Sequence, residues 1–195
     1  MKRMSGEARR TQIVDAAHAV ILEKGLAEAA TRDVTRRLGV GSGLLHHYFK
    51  TWKSLRAEVV RVFITKEIEQ LEQTLAAAAP DRLAAAVVDW MVQDPAFRHW
   101  RLWLDAIEEA RRDPDLAEVV EAGYLRWQIT LSTLVERIVA AGHGTCPQPQ
   151  DAAWRISVLI DGLVGLLAFD RTPLTTEEVR RLLQTQLAME LSGAS

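Results

Sequence analysis

Thr31-Arg32-Asp33-Val34-Thr35-Arg36-Arg37-Leu38-Gly39-Val40-Gly41-Ser42-Gly43-Leu44-Leu45-His46-His47-Tyr48-Phe49 is the stretch on which the reading of this chain turns. Thr31 is placed to cap a short helix that carries Val34 and Leu38 and stops at Gly39. A second short helix follows from Ser42 to Phe49. Val34, Leu38, Val40 and Leu45 are spaced to pack between the two. Two short helices on a tight glycine-containing turn are the layout of a helix-turn-helix, whose second helix enters the DNA major groove. The outward face of that helix offers Ser42, Leu44, His46 and His47 to base edges. Gly43 lets its backbone come close to the groove. Tyr48 and Lys53, at the far end, suit phosphates. Thr31 and Arg32 do the same at the start of the preceding helix, where open backbone N–H groups attract anions.

Charge supports a polyanion partner. The net charge is −2. Residues 1–56 hold 11 Lys and Arg against 5 Asp and Glu, a net +6, whereas residues 57–195 hold 13 against 21, a net −8. A basic first quarter on an acidic body fits one end that meets nucleic acid. The basic run Lys2, Arg3, Arg9 and Arg10 reads either as an arm reaching for phosphates or as a solvated tail. His46 and His47 do not make a metal site, because neighbours on a helix point about 100° apart. No metal and no cofactor are expected.

With these residues in view, the stretch from about Arg9 to Leu55 resembles the DNA-binding domain of the TetR family of bacterial transcriptional repressors. The matching positions are Ala16-Ala17, Gly25, Thr31, Gly39-Val40, Gly43, Leu45 and Tyr48-Phe49, in register without a gap. Three positions depart from the family pattern. Gly41 replaces a capping serine, His46 a tyrosine, and Trp52 a phosphate-contacting lysine, with Lys53 beside it. The resemblance implies a homodimeric, ligand-responsive repressor that binds a palindromic operator and is released by a small molecule.

The rest of the chain reads as helices over 51–79, 95–112, 115–141, 151–169 and 175–191. Breaks fall at Pro80-Asp81, Asp94-Pro95, Asp113-Pro114 and the loop 142–149. No segment alternates with a period of two, so the fold class is all-α. An N-terminal three-helix helix-turn-helix domain spans 1–56, and a helical ligand-binding and dimerisation domain spans 57–195. Five of the six tryptophans lie beyond residue 57. Phe97, Trp100, Trp103, Leu104 and Ile107 share one helix face, and Leu116, Val120, Tyr124, Trp127, Leu131, Leu134 and Ile138 share another. These faces read either as ordinary core or as the walls of a ligand pocket. The pocket set is Trp90, Met91, Phe97, His99, Trp100, Trp103, Tyr124 and Trp127, with His99 as the orienting polar group. Because no carboxylate falls on these faces, the expected inducer is largely apolar or aromatic.

Asp105 and Glu108 sit near Arg101 and Arg112 at ion-pair spacing and read as a solvated face rather than a catalytic pair. The helix over 151–169 is apolar nearly all round, with Gly162 and Gly165 leaving room for a second helix. Val179, Leu182, Leu183 and Leu187 add a stripe on the last helix. The resemblance implies a homodimer through about 151–191; the apolar pattern alone reads equally as the central helix of a monomer. A lone cysteine, Cys146, and the absence of any 20-residue apolar run fit a cytoplasmic protein without a membrane span. An enzyme or carrier built on the tryptophans lacks a nucleophile–base pair, metal cluster or phosphate loop. A helix-turn-helix that binds protein instead of DNA is the remaining alternative.

Overall fold

In the computed structural model, the structure describes residues 5–93, 97–169 and 171–193. Helix α1 (Gly6–Lys24) starts at Ser5, whose hydroxyl accepts from the Ala8 N–H at 3.2 Å. It ends at Gly25, with φ at +88°. Its buried residues, Ile13, Ala16, Ala17, Val20 and Ile21, repeat at helical spacing. Helix α2 (Thr31–Leu38) and helix α3 (Ser42–Tyr48) follow. Thr31 is not the cap of α2. Ala30 holds that position, and the Asp33 carboxylate accepts from its N–H at 3.2 Å. A carboxylate serves this role because it meets the positive end of the helix. Lys24 Nζ, 2.6 Å from Asp33 Oδ1, ties the end of α1 to the start of α2. That hydrogen bond holds the Asp33 carboxyl below its usual range. Gly39 closes α2 in the left-handed conformation, φ +66° and ψ 34°.

Helix α4 (Trp52–Ala77) is capped reciprocally by Thr51 and Ser54. A 3-10 turn (Pro80–Arg82) leads to α5 (Leu83–Met91), and then come α6 (Arg98–Ala110), α7 (Pro114–Ala140), α8 (Pro149–Leu167) and α9 (Thr176–Glu190). The expected break at Asp94-Pro95 and the helix start at Pro95 lie outside the described residues. Thr175 and Glu178 form a capping box at the start of α9. Among the described residues there is no strand, and Thr145 and Ser192 make an isolated bridge. The fold is all-α.

The chain forms two compact units. One is the described part up to Thr65 with Leu102–Gly123, and the other is Lys66–Arg101 with the described part from Tyr124 onward. The first unit is therefore larger than residues 1–56. Its core includes Ile13, Ile21, Leu26, Val34, Leu45, Leu55, Leu102, Ala106 and Leu116. Here α6 turns an unexpected side inward. Leu102 and Ala106 are buried, whereas Leu104 is exposed and Trp103 and Ile107 are only half-buried. Charge partners set this rotation. Asp105 Oδ2 accepts from the Leu26 N–H at 3.3 Å, just past α1. Arg56 on α4, buried, pairs with Glu109 at 3.0 Å and Asp113 at 3.3 Å. Asp105 thus leaves the solvated face expected for it, while Glu108 keeps its exposed pair with Arg112 at 3.3 Å.

The second unit packs Leu71, Leu83, Val87, Val88, Leu131, Leu134, Ile156, Ile160 and Val164 in one core. The α9 stripe also goes here. Val179, Leu183 and Leu187 are buried within this unit, which removes them from any dimer face. An opposite side of α8 carries Trp154, Val158, Gly162 and Leu166, at steps of four, with Phe169 just past its end, and it is exposed; Val158 is 65% exposed.

Gly39 has nothing within 4 Å of where a Cβ would stand, so a side chain there meets only a backbone penalty. Gly39→Ala should lower the unfolding free energy by about 1 kcal/mol. Gly39→Asn should cost less, since Asn tolerates the left-handed region. Chemical denaturation of the three proteins measures both.

Candidate nucleic-acid interface and ligand site

The outward face of α3 is built by what its other face buries. Leu45 and Phe49 sink into the first unit, and the Arg10 guanidinium stacks 4.9 Å from the centre of the Phe49 ring. Ser42, Gly43, His46 and His47 are left exposed, and Leu44 and Tyr48 are half-buried. The His47 and Tyr48 rings meet edge-on at 5.0 Å. A Cβ on Gly41 or Gly43 would meet open space, so a second backbone can come close there.

The basic residues around α3 divide into two groups. Lys24 is held by Asp33, Arg37 by Glu23 at 2.7 Å, Arg10 by Glu58 at 2.5 Å, and Arg56 by Glu109 and Asp113. These charges build the unit. Arg32, Lys50 and Lys53 are exposed and have no ion-pair partner among the described residues. Thr31, half-buried, stands at the first turn of α2 beside Arg32. Lys50 was not among the residues singled out from the sequence. Its signal is position, in the turn between α3 and α4.

The eight expected ligand residues divide between the two units. Trp103 belongs to the first unit, where its Cη2 is 3.5 Å from where a Cβ on Gly123 would stand. The other seven lie in the second unit. Trp90, Trp100 and Trp127 pack half-buried against its core, with the Trp90 and Trp127 rings 6.4 Å apart. Phe97 is buried, with a positive φ of 47°, at the start of α6. Met91 faces a different space, a recess of about 10 Å³ walled by α5, α8 and α9. Such a recess holds at most one water. His99 is not a core histidine: its Nδ1 is 3.3 Å from Glu67 Oε2 and the side chain is partly exposed.

Polar groups on α7 and α8 were missed. Trp127 Nε1 donates to Ser157 Oγ at 3.1 Å, and the Tyr124 hydroxyl donates to Asp161 Oδ2 at 3.3 Å. Asp161 places a carboxylate among the apolar faces, contrary to expectation. Burial pushes its carboxyl up to about 6, and the Tyr124 hydrogen bond holds it back in part. Gln128, buried on the same side of α7, leaves both amide atoms unpaired. The available signals were a lone Asp in the apolar run 158–169 and a Gln one residue from Trp127.

Comparison with known proteins places these surfaces in a family. Residues 13–59 match the family described as bacterial regulatory proteins, tetR family. The chain belongs to the TetR family of bacterial transcriptional regulators. Residues 79–192 match the C-terminal family described as BetI-type transcriptional repressor, so within that class its second part is of the BetI type. The transcriptional regulator BetI of Cronobacter sakazakii is 27% identical, over 96% of this chain and 93% of its own. The transcriptional regulator PksA of Bacillus subtilis is 23% identical, over 93% and 89%. A transcriptional regulator from Saccharomonospora viridis, solved in complex with choline, superposes with a TM-score of 0.82 at 22% identity, over 94% and 97%. The matched families and relatives are transcriptional regulators, not enzymes. Among the described residues no helix is long and apolar enough to cross a membrane.

Asp161 gives a pH signature. The folded chain binds its proton more tightly than the unfolded chain, because the carboxyl rises from 3.8 to about 6. Its contribution to stability is full below about pH 4 and is lost as the pH rises through about 6. Asp161→Asn should therefore match the wild type in acid and gain on it towards neutrality, by about 3 kcal/mol at most. Urea denaturation across that pH range reads the difference.

Proposed function

We propose that the protein is a ligand-responsive repressor that binds a palindromic operator as a homodimer and leaves it when a small molecule binds. The observation that carries this reading is the division of charge around α3. Buried or paired cations hold the unit together, and Arg32, Lys50 and Lys53 remain for phosphates. Ser42, Gly43, Leu44, His46 and His47 face the bases, and Thr31, Arg32, Tyr48 and Lys53 fix the register on the backbone. In this reading residues 1–56 bind DNA, residues 57–195 bind ligand and partner, and the protein works in the cytoplasm.

The exposed stripe of α8 supports the dimer. Trp154, Val158, Gly162 and Leu166 line one side of α8, Phe169 follows just past its end, and all five are exposed. In this reading a second copy covers the stripe, and the two α3 helices of the dimer meet adjacent major grooves of the operator, about 34–36 Å apart. The ligand end rests on Trp90, Trp127, Tyr124 and Asp161. The choline complex of the Saccharomonospora viridis regulator supports a small molecule as the signal in this fold. Helices α4, α6 and α7 each contribute residues to both units. Ligand affects DNA affinity to the extent that it binds two conformations of the dimer unequally.

Two measurements test the proposal. Lys53→Ala and Arg32→Ala should weaken binding to the DNA beside the protein's own gene, and each should reduce the slope of log affinity against log salt by about 1. His47→Ala and Ser42→Ala should instead change sequence preference. Unchanged affinity and slope in both lysine and arginine variants would contradict the interface. A Cβ added at Gly162 has nothing within 4 Å of it, so Gly162→Arg should be accommodated by the folded protomer. By light scattering it should convert a dimer of twice 21.8 kDa into a folded monomer. A wild type that is itself monomeric at micromolar concentration contradicts the dimer.

A further inference from the structure

We propose that Asp161 and Gln128 form the polar end of a ligand site for a protonated amine that keeps N–H donors on an apolar or aromatic body. The proposal rests on the reading of the chain as a ligand-responsive regulator and names the chemistry of its signal.

Gln128 provides the first observation. It is 9% exposed, and neither Oε1 nor Nε2 has a hydrogen-bond partner. A buried carboxamide that is left unpaired destabilises a fold, and a Met of similar length would not. Its polar capacity is available to a molecule that arrives later. Asp161 provides the second. It accepts only from the Tyr124 hydroxyl among the described residues, through Oδ2, so Oδ1 is available as an acceptor. Gln128 lies one turn along α7 from Tyr124, whose hydroxyl meets Asp161. Tyr124, Trp127 and Gln128 lie at three- and four-residue steps on one side of α7, and Ser157 and Asp161 lie four apart on α8. The Tyr124–Asp161 and Trp127–Ser157 hydrogen bonds hold those sides together. Trp127 and Trp90 add flat apolar surface.

This combination selects among small molecules. The Asp161 carboxylate favours a cation, and the aromatic rings favour an apolar body and attract positive charge. Two acceptors, Asp161 Oδ1 and Gln128 Oε1, need N–H donors. A primary ammonium supplies three, whereas a fully methylated nitrogen supplies none and leaves both oxygens unpaired. A ligand without the charge leaves the carboxylate without its partner. Specificity built on unpaired polar groups is stronger than specificity built on apolar contact.

The test is calorimetric titration of the full-length protein at neutral pH with 2-phenylethylamine, its N-trimethyl derivative and 2-phenylethanol. The primary amine should bind about tenfold or more tightly than either of the others. Asp161→Asn should abolish the preference for the amine over the alcohol. Gln128→Met should raise the melting temperature, weaken the amine about tenfold and leave the alcohol unchanged, a combination that a merely structural glutamine would not give. The proposal is overturned if the trimethyl compound binds as tightly as the primary amine, or if Gln128→Met leaves amine affinity intact. It is also overturned if none of the three binds at millimolar concentration. In that last case, DNA binding by the same preparation leaves the regulator reading standing.

Discussion

The Arg56 guanidinium lies between Glu109 Oε2 at 3.0 Å and Asp113 Oδ2 at 3.3 Å, almost out of water. An ion placed there is held by its partners or not at all, because removing either carboxylate leaves buried charge uncompensated. The consequence runs through the first unit. With Glu109 and Asp113 committed to α4, α6 must present the side that also carries Asp105. That carboxylate then takes the Leu26 N–H beyond the end of α1. Leu102 and Ala106 are buried between these groups, while Leu104 is exposed. The helix-turn-helix is thus anchored at α1 and α4 by acids from a segment far along the chain.

A second economy of charge operates nearer α3. Asp33 joins Lys24 to the start of α2, and Glu58 takes both Arg10 and Arg61. Each pairing gives a cation an acid within the unit, and the Lys24–Asp33 and Arg10–Glu58 pairs tie one helix to another. The net +6 of the first 56 residues therefore overstates what phosphates can use. Arg32, Lys50 and Lys53, which have no ion-pair partner among the described residues, are close to the ends of α2 and α3.

Much of this was legible before the structure. Gly39 marks a helix end with short-range chemistry, and α2 ends there. Helical spacing identified Leu116, Val120, Leu131, Leu134 and Ile138 as one buried face. Long-range pairing was not legible. The inward side of α6 follows from Arg56 and Leu26, 40 or more residues away, and hydrophobic spacing alone chose a face centred on Trp100, Leu104 and Ile107. The α9 stripe looked equally suited to a partner or to its own core, since Val179, Leu183 and Leu187 carry no mark of which they cover. Asp161 was visible as an interruption of an apolar run, but its meeting with Tyr124 needed the tertiary contact. Gln128 has no sequence signal as an unpaired amide, because partners are a property of the fold.

In the proposed reading, two copies of the chain read DNA through paired α3 helices. Selection from a pool of random-sequence duplexes, with the purified full-length protein and sequencing of the bound fraction, tests it most directly. The expected result is an enriched palindrome whose half-sites are centred about one helical turn, or a multiple of it, apart. A bound fraction with no enriched sequence, or with single half-sites lacking two-fold symmetry, would contradict it.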